Sequence, residues 1–398
     1  MLTWKYFEGN LTPAEGFTMW NIAFCIRKDY QTRTGGDSVQ LLKTKKYLEH
    51  MGKLKVEVVT DSQGLSGKGY DICQIFNMQV EGPTLGFIDI CKREGIAVAL
   101  SPLFWDSSYA LANTLLAGYL GCRRISRTRL DLAERFLKLI SPLAGTPRFF
   151  TRGYREEYVS RVLREVDIVL PNSTEELEIL SGYPGVEAED LKRKSCVVFN
   201  GVDIGLDNDP QDVAIAESVA RKYGLPEKYV LQVGRIEPVK NQMTLLQALH
   251  GIDIPIVFLG DQQVSRGYFH GVRKLADKRG NVFFVGRAAH EEMKHIYRRA
   301  ALHALPSLQE TTGLASLEAL ASGCRAVVSA RGYCPYETYF NGVCTPVNPL
   351  DPGSVREGVL KEMKMERDMD EIKRQMNEKF SWAVSARQTF DAYKKVLQ

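Results

Sequence analysis

A chain of 398 residues with 44% hydrophobic content is long enough to bury two sizeable cores, so two domains are the expectation. A formal net charge of +4 is too mild to argue for nucleic acid, and the eight cysteines show neither a C-x-x-C pair nor zinc-ligand spacing, which fits free thiols in a reducing cytoplasm. The N-terminus has no basic stretch leading into an apolar one, and no run approaches the roughly 18 apolar residues of a membrane span. A soluble or peripheral protein is therefore expected.

Trp20 to Ile26 reads as the first strand, and a polar loop holding Gly35 and Gly36 leads into a helix with Val39, Leu41, Leu42 and Leu48. A glycine pair at a strand-to-helix turn lets backbone approach a ligand at the carboxyl end of a strand; an ordinary βα turn has the same composition. Strands over 54–59, 72–75, 96–100, 168–170 and 196–199 alternate with helices. That alternation argues a parallel sheet wound on both faces. Ser101 to Asp106 closes one strand and enters a loop on the ligand side; Asp106 reads either as a ligand contact or as a helix N-cap beside a buried Trp105.

Residues 121–164 hold eleven Lys/Arg against four acids, interleaved with apolar residues such as Phe136, Leu137 and Ile140. Such a surface docks on anionic lipid headgroups, at about 1 kcal/mol per charge, or is a solvated face over core leucines. Nucleic acid is not expected, because no binding module and few stacking aromatics accompany it. Ser173 with Glu176 forms a capping box. Asn200 to Asp203 is a turn, and the polar stretch after it places a linker near 201–210.

The second half opens with Tyr229 to Val233 as a strand that empties into Gly234-Arg235, with Lys240 starting the next helix. Two cations are thereby aimed at one spot, Arg as a bidentate phosphate ligand and Lys as a point charge. Strands ending in Gly260 and Gly286 follow, the latter before Arg287, while His290 and His295 read as surface residues flanking a helix. A short apolar run to Leu305 is then closed by Pro306-Ser307, and Glu310 lies in a loop. Thr311, Thr312 and Gly313 have the chemistry of a helix start: hydroxyls that can cap and a glycine that admits close approach. Leu314, Leu317, Leu320 and Ala321 recur at helical spacing, and Gly323 sits where a C-cap glycine belongs. Amides at such a start lack internal partners and favour an anion, while carboxylates at Glu310 and Glu318 suit sugar hydroxyls. A nucleotide sugar combines both.

Glu310 and Glu318, separated by seven residues and followed by Ala-Leu-Ala-Ser-Gly, resemble the E-x7-E motif of retaining GT-B glycosyltransferases, above all glycosyltransferase family four. Gly234-Arg235 with Lys240-Asn241 is similar to the pyrophosphate-binding motif of that family, and Asn-Gly-Val-Asp at 200–203 to the end of its first domain. The resemblance implies an α/β fold with two Rossmann-like doubly wound domains facing each other across a cleft. It implies an acceptor-binding domain over 1–203, a nucleotide-sugar-binding domain over 211–377, and a C-terminal helix, 378–398, crossing back to the first. The donor would be held by Gly36, Gly234, Arg235, Lys240, Gly286, Arg287, Glu310, Thr312, Gly313, Leu314 and Glu318. Glu310, Arg235 and Lys240 would act on the reaction. Asp106 is the substitute for a family histidine that this chain lacks.

The implied activity moves a sugar from a nucleoside-diphosphate sugar to an acceptor hydroxyl with retention of configuration. Its setting would be cell-surface polysaccharide or glycolipid biosynthesis, with a glycan or lipid-linked acceptor and no cofactor or essential metal. It would be cytoplasmic, with the basic segment offering a peripheral contact with the inner face of the membrane. The alternative is a catalytically inert sugar-nucleotide-binding or partner subunit of the same fold. A dehydrogenase or epimerase would need G-x-G-x-x-G after its first strand, which Gly35-Gly36 does not supply.

Overall fold

The computed structural model describes residues 19–32, 35–52, 54–79, 81–105, 152–203 and 212–398. Asp106, most of the basic 121–164 stretch and residues 204–210 of the linker lie outside them. The contacts divide the chain into two units, each built on its own parallel sheet.

The first unit contains β1 (Trp20–Cys25), β2 (Leu54–Val59), β3 (Ile72–Phe76), β4 (Ala97–Ser101) and β5 (Ile168–Val169), in spatial order β2-β1-β3-β4-β5. Among the described residues its helices include α1 (Gly36–His50), α2 (Glu81–Glu94), α3 (Arg152–Glu165), α4 (Thr174–Ser181) and α5 (Ala188–Arg193). These strands are apolar on both sides because both sides are covered, as parallel sheets require. Ala23, Cys25, Cys73 and Ile75 meet Phe87 and Ile88 of α2 and Val159 and Val162 of α3. Their neighbours Ile22, Phe24, Ile72 and Phe76 point the other way, toward Leu41 and Leu48 of α1.

The second unit contains β6 (Val230–Val233), β7 (Ile256–Leu259), β8 (Val282–Gly286), β9 (Leu302–Leu305), β10 (Ala326–Ser329) and β11 (Thr345–Val347). Around them lie α6 (Asp212–Tyr223), α7 (Gln242–Ala248), α8 (Arg266–Arg279), α9 (Met293–Arg299), α10 (Leu314–Ala321), α11 (Tyr336–Tyr339), α12 (Pro352–Lys364) and α13 (Met369–Lys379). The spatial order β11-β10-β9-β6-β7-β8 is that of a dinucleotide-binding sheet, with the strand order reversing between β6 and β9. There the ladder pairs only Val230 with Leu302 and Leu231 with His303, although both strands run further. The ends beyond that ladder are where a ligand is received in folds of this topology.

The last helix, α14 (Trp382–Leu397), belongs to the first unit. Ser381 caps it, accepting from the Val384 amide at 3.3 Å, and Ala386, Phe390 and Tyr393 pack with Phe24 and Leu41. The chain returns beside its own exit: the Val202 amide donates to the Phe380 carbonyl at 2.7 Å. Gly201 permits this, since a Cβ there would lie 2.4 Å from the Trp382 nitrogen.

Several local expectations differ. The expected strand over 196–199 is not a strand: Cys196 and Val198 donate to the carbonyls of Val169 and Pro171, but Pro171 has no N–H to return and the ladder stops. Lys240 does not start a helix; it ends a short 3-10 turn, Pro238–Lys240, and Asn241 turns left-handed (φ +59°) before α7. His295 is buried, because α9 is short and wedged against α6 and α10. Only half the capping box forms. Ser173 accepts from the Glu176 amide at 3.0 Å, but the Glu176 carboxylate turns to the amides of Asn172 (2.6 Å) and Phe104 (2.5 Å).

Candidate functional site

The carboxyl ends of β6 and β9 carry the residues singled out above. β6 empties into Gly234, whose φ of +150° suits only glycine, and the stem of Lys240 lies across it, 3.5 Å from where a Cβ would stand. Gly260, after β7, is still more confined: its Cβ would sit 2.1 Å from the Gly234 carbonyl oxygen. The Gly260 amide donates to the Gly286 carbonyl at 2.6 Å, so the ends of β6, β7 and β8 are drawn together by glycines. The loop from 234 to 241 is then pinned by amides. Gln232 Nε2 donates to the Lys240 carbonyl at 2.5 Å, Gln242 Nε2 to the Arg235 carbonyl at 2.9 Å, and Asn241 Nδ2 to the carbonyls of Pro306 and Pro349. These pins were not foreseen; buried Gln and Asn beside a glycine turn were the available signal.

Lys240 and Glu310 meet directly, Nζ to Oε1 at 2.6 Å, with 20% and 11% of their side chains exposed. The Glu310 amide donates to the Tyr333 carbonyl, and the Leu308 amide to that of Val239, so the loop after β9 is fastened at two points. Arg235 reaches another carboxylate, Glu237, at 2.8 Å, and is 46% exposed. Arg287 pairs with Asp261 at 2.6 Å. Asp261 is held below the ordinary carboxylate pKa by the Gln263 amide first and then by Arg287, with the charge of Arg235 adding to it. Glu237 and Asp261 are thus carboxylate partners of the two arginines that the sequence did not single out.

Helix α10 follows Gly313, its N-cap, which is left-handed with φ +80° and has no side chain to cap with. The N-cap residue is thus Gly313 rather than Thr311 or Thr312, and Thr312 is buried. A left-handed residue at this corner aims the following amides outward, leaving those of Leu314 and Ala315 without helical partners. At the other end Ser322 is the cap and Gly323 (φ +81°) turns the chain away. Glu318, a turn further in, accepts from the Tyr297 hydroxyl at 3.1 Å. Gly286 (φ +80°) ends β8, and Gly36 is the first residue of α1 in the other unit.

In that unit the chain order reverses between β1 and β3, and a cluster absent from the sequence analysis stands there. Arg27 donates to both oxygens of Asp37 (2.8 and 3.2 Å), to Asp29 (2.7 Å) and to Ser38 (3.3 Å), and Asn77 donates to Asp37 at 3.3 Å. Burial alone would raise the Asp37 carboxyl, but the hydrogen bonds and charge of Arg27 outweigh it and hold it below its usual pKa. Gly35 is tight against Asp37, at 2.9 Å from a hypothetical Cβ to Oδ1, so the glycine-pair loop is tied to this cluster.

Two parallel-sheet Rossmann-like units of these orders define the GT-B architecture. Structures sharing it include HepE of Anabaena in complex with UDP and glucose (TM-score 0.62, 16% identity, 93% of this chain and 98% of that one). The catalytic domain of Arabidopsis thaliana starch synthase IV, bound to ADP and acarbose, matches at TM-score 0.64 and 12% identity over 96% of this chain and 99% of its own. Residues 217–379 match the model of the glycosyl transferases group 1 family. An uncharacterised glycosyltransferase of Methanocaldococcus jannaschii is 29% identical over 56% of this chain and 63% of its own length. A D-inositol 3-phosphate glycosyltransferase of Corynebacterium glutamicum is 24% identical over 64% and 62%. The chain thus spans less than two thirds of the length of these curated relatives.

Proposed function

We propose that the protein transfers a sugar from a nucleoside-diphosphate sugar to an acceptor hydroxyl with retention of configuration. The observation that carries the proposal is the Lys240–Glu310 pair, 2.6 Å apart in the loops after β6 and β9, with α10 beginning four residues after Glu310 behind a glycine N-cap. A lysine ammonium has three protons; with one on Glu310, two remain for phosphate oxygens. Arg235, 46% exposed, can swing from Glu237 to the same diphosphate. In this proposal Glu310 accepts from the donor sugar's hydroxyls and Glu318 from the ribose. Arg235, Lys240 and the amides of Leu314 and Ala315 meet charge that develops on the leaving diphosphate, each such donor contributing on the order of 2.7–4 kcal/mol. The leaving phosphate takes the acceptor proton on the face it vacates, which preserves configuration, and no metal takes part.

Relatives named for D-inositol 3-phosphate make a phosphorylated polyol one acceptor to try, beside glycan and lipid-linked acceptors. Contact of the basic 121–164 segment with an anionic membrane surface, on the cytoplasmic side, belongs to the same proposal. The test is incubation with UDP-, GDP- and ADP-sugars and an acceptor panel, reading release of nucleoside diphosphate and the anomeric coupling constant of the product by NMR. A product of inverted configuration, or turnover abolished by a chelator, would contradict the proposed route.

A further inference from the structure

One imidazole bridges the gap where the two central strands of the second unit part. His303 lies in β9, and its ring is wholly buried. The Val233 amide at the end of β6 donates to His303 Nε2 at 3.3 Å, one residue before Gly234. On the other side of the ring, Nδ1 lies 3.3 Å from the hydroxyl of Ser316, the third residue of α10. An Nε2 that accepts carries no proton, so Nδ1 carries it and donates to Ser316 Oγ. Tyr297 packs edge-on against the ring, with centroids 5.8 Å apart, and its hydroxyl goes on to Glu318. Burial first and the neighbouring Lys240 charge second depress the imidazole pKa to about 3, so the ring is neutral throughout the physiological range.

We propose that His303 is a positioning residue: it holds the Gly234–Arg235 turn and the first turn of α10 in register, so that one diphosphate meets both. The two strands' own ladder stops at Leu231 and His303, and the backbone bond that joins the loops beyond it, Leu308 N–H to the Val239 carbonyl, involves neither Gly234–Arg235 nor α10. A neutral ring that accepts on one side and donates on the other fits the gap, and its fixed tautomer gives it one orientation. This rests on the nucleotide-sugar proposal for the same site. The ring touches no substrate; it acts through Val233 and Ser316.

The test uses the full chain and calorimetric titration with UDP, GDP and ADP. In His303→Leu the affinity for whichever nucleotide the unaltered protein binds falls by about tenfold or more, the scale expected of a small misplacement of binding groups. His303→Gln, which keeps an acceptor for the Val233 amide, regains most of it, and Ser316→Ala loses affinity without altering β9. Imidazole nitrogen NMR of the unaltered protein shows an Nδ1-protonated ring that does not titrate between pH 5 and 8. Unchanged nucleotide affinity in a folded His303→Leu or Ser316→Ala variant overturns the positioning role, as does an Nε2-protonated ring. Failure of the unaltered protein to bind any of the three nucleotides instead removes the nucleotide-sugar proposal, and this inference with it.

Discussion

Lys240 and Glu310 neutralise each other where neither is more than 20% exposed, so removing one strands the other. Lys240→Met should lower stability by about 3 kcal/mol, the usual effect of leaving a buried charge alone, and abolish turnover. Adding Glu310→Gln to that variant should restore the thermal midpoint but not the activity, a split that separates the structural role of the pair from its chemical one. Glu310→Ala alone should lose nearly all turnover while nucleoside diphosphate still binds. Near-normal rates would remove Glu310 from the reaction. His303 adds an acid-side effect. Its folded pKa of about 3 lies below the unfolded value of 6.5, so its contribution is present above pH 6.5 and lost as pH falls toward 3. Chemical denaturation at pH 7 and pH 4.5 should therefore show a steeper acid loss for the unaltered protein than for His303→Leu.

The elements are joined at their ends by contacts that tolerate little change. Gly260 combines φ of +148° with a carbonyl 2.1 Å from its absent Cβ. Gly260→Ala should cost several kcal/mol and separate the ends of β6 and β7, with nucleotide binding lost alongside stability. The turn after β4 is held differently. Leu103 is left-handed (φ +48°), and the buried Glu176 carboxylate grips the next amide, that of Phe104. Burial drives the Glu176 pKa up to about 7, against the lowering effect of its two amide donors. A folded pKa raised from 4.5 contributes stability that is full below pH 4.5 and lost as pH rises to about 7. Relative to Glu176→Gln, the unaltered protein should lose about 3 kcal/mol between pH 4.5 and pH 8, measured by urea unfolding of both proteins at each pH. A parallel pH response in the two would show that Glu176 does not titrate in that window.

For the whole molecule, the chain's last turn of structure completes its first unit. α14 covers the face of the sheet formed by Ile22, Phe24 and Ile72, and the Val202–Phe380 hydrogen bond ties its approach to the exit of the first segment. Phe390→Ala, a truncation in that interface, should destabilise the protein by about 3–5 kcal/mol. Hydrogen exchange should localise the loss to β1, β3 and α1 in the first unit rather than to the strands of the second. Equal loosening of β6 and β9 would mean that the two units unfold as one.

Periodicity and punctuation made most elements readable in the chain itself. Strand-end glycines, alternating apolar runs and the spacing of Leu314, Leu317 and Leu320 are local, and local patterns need no knowledge of partners. Glu310, Lys240 and Gly313 were likewise visible as residue types at telling places. What tertiary structure alone decided was pairing: that Lys240 reaches Glu310 across seventy residues of sequence, that Arg27 grips Asp37, and that His303 spans from β6 to α10. It also decided where expectation erred. Pro171 cannot complete a ladder with the 196–199 segment, and Glu176 finds better donors than its own cap. Sequence states which groups a chain can offer; only the order of strands in space determines which of them meet.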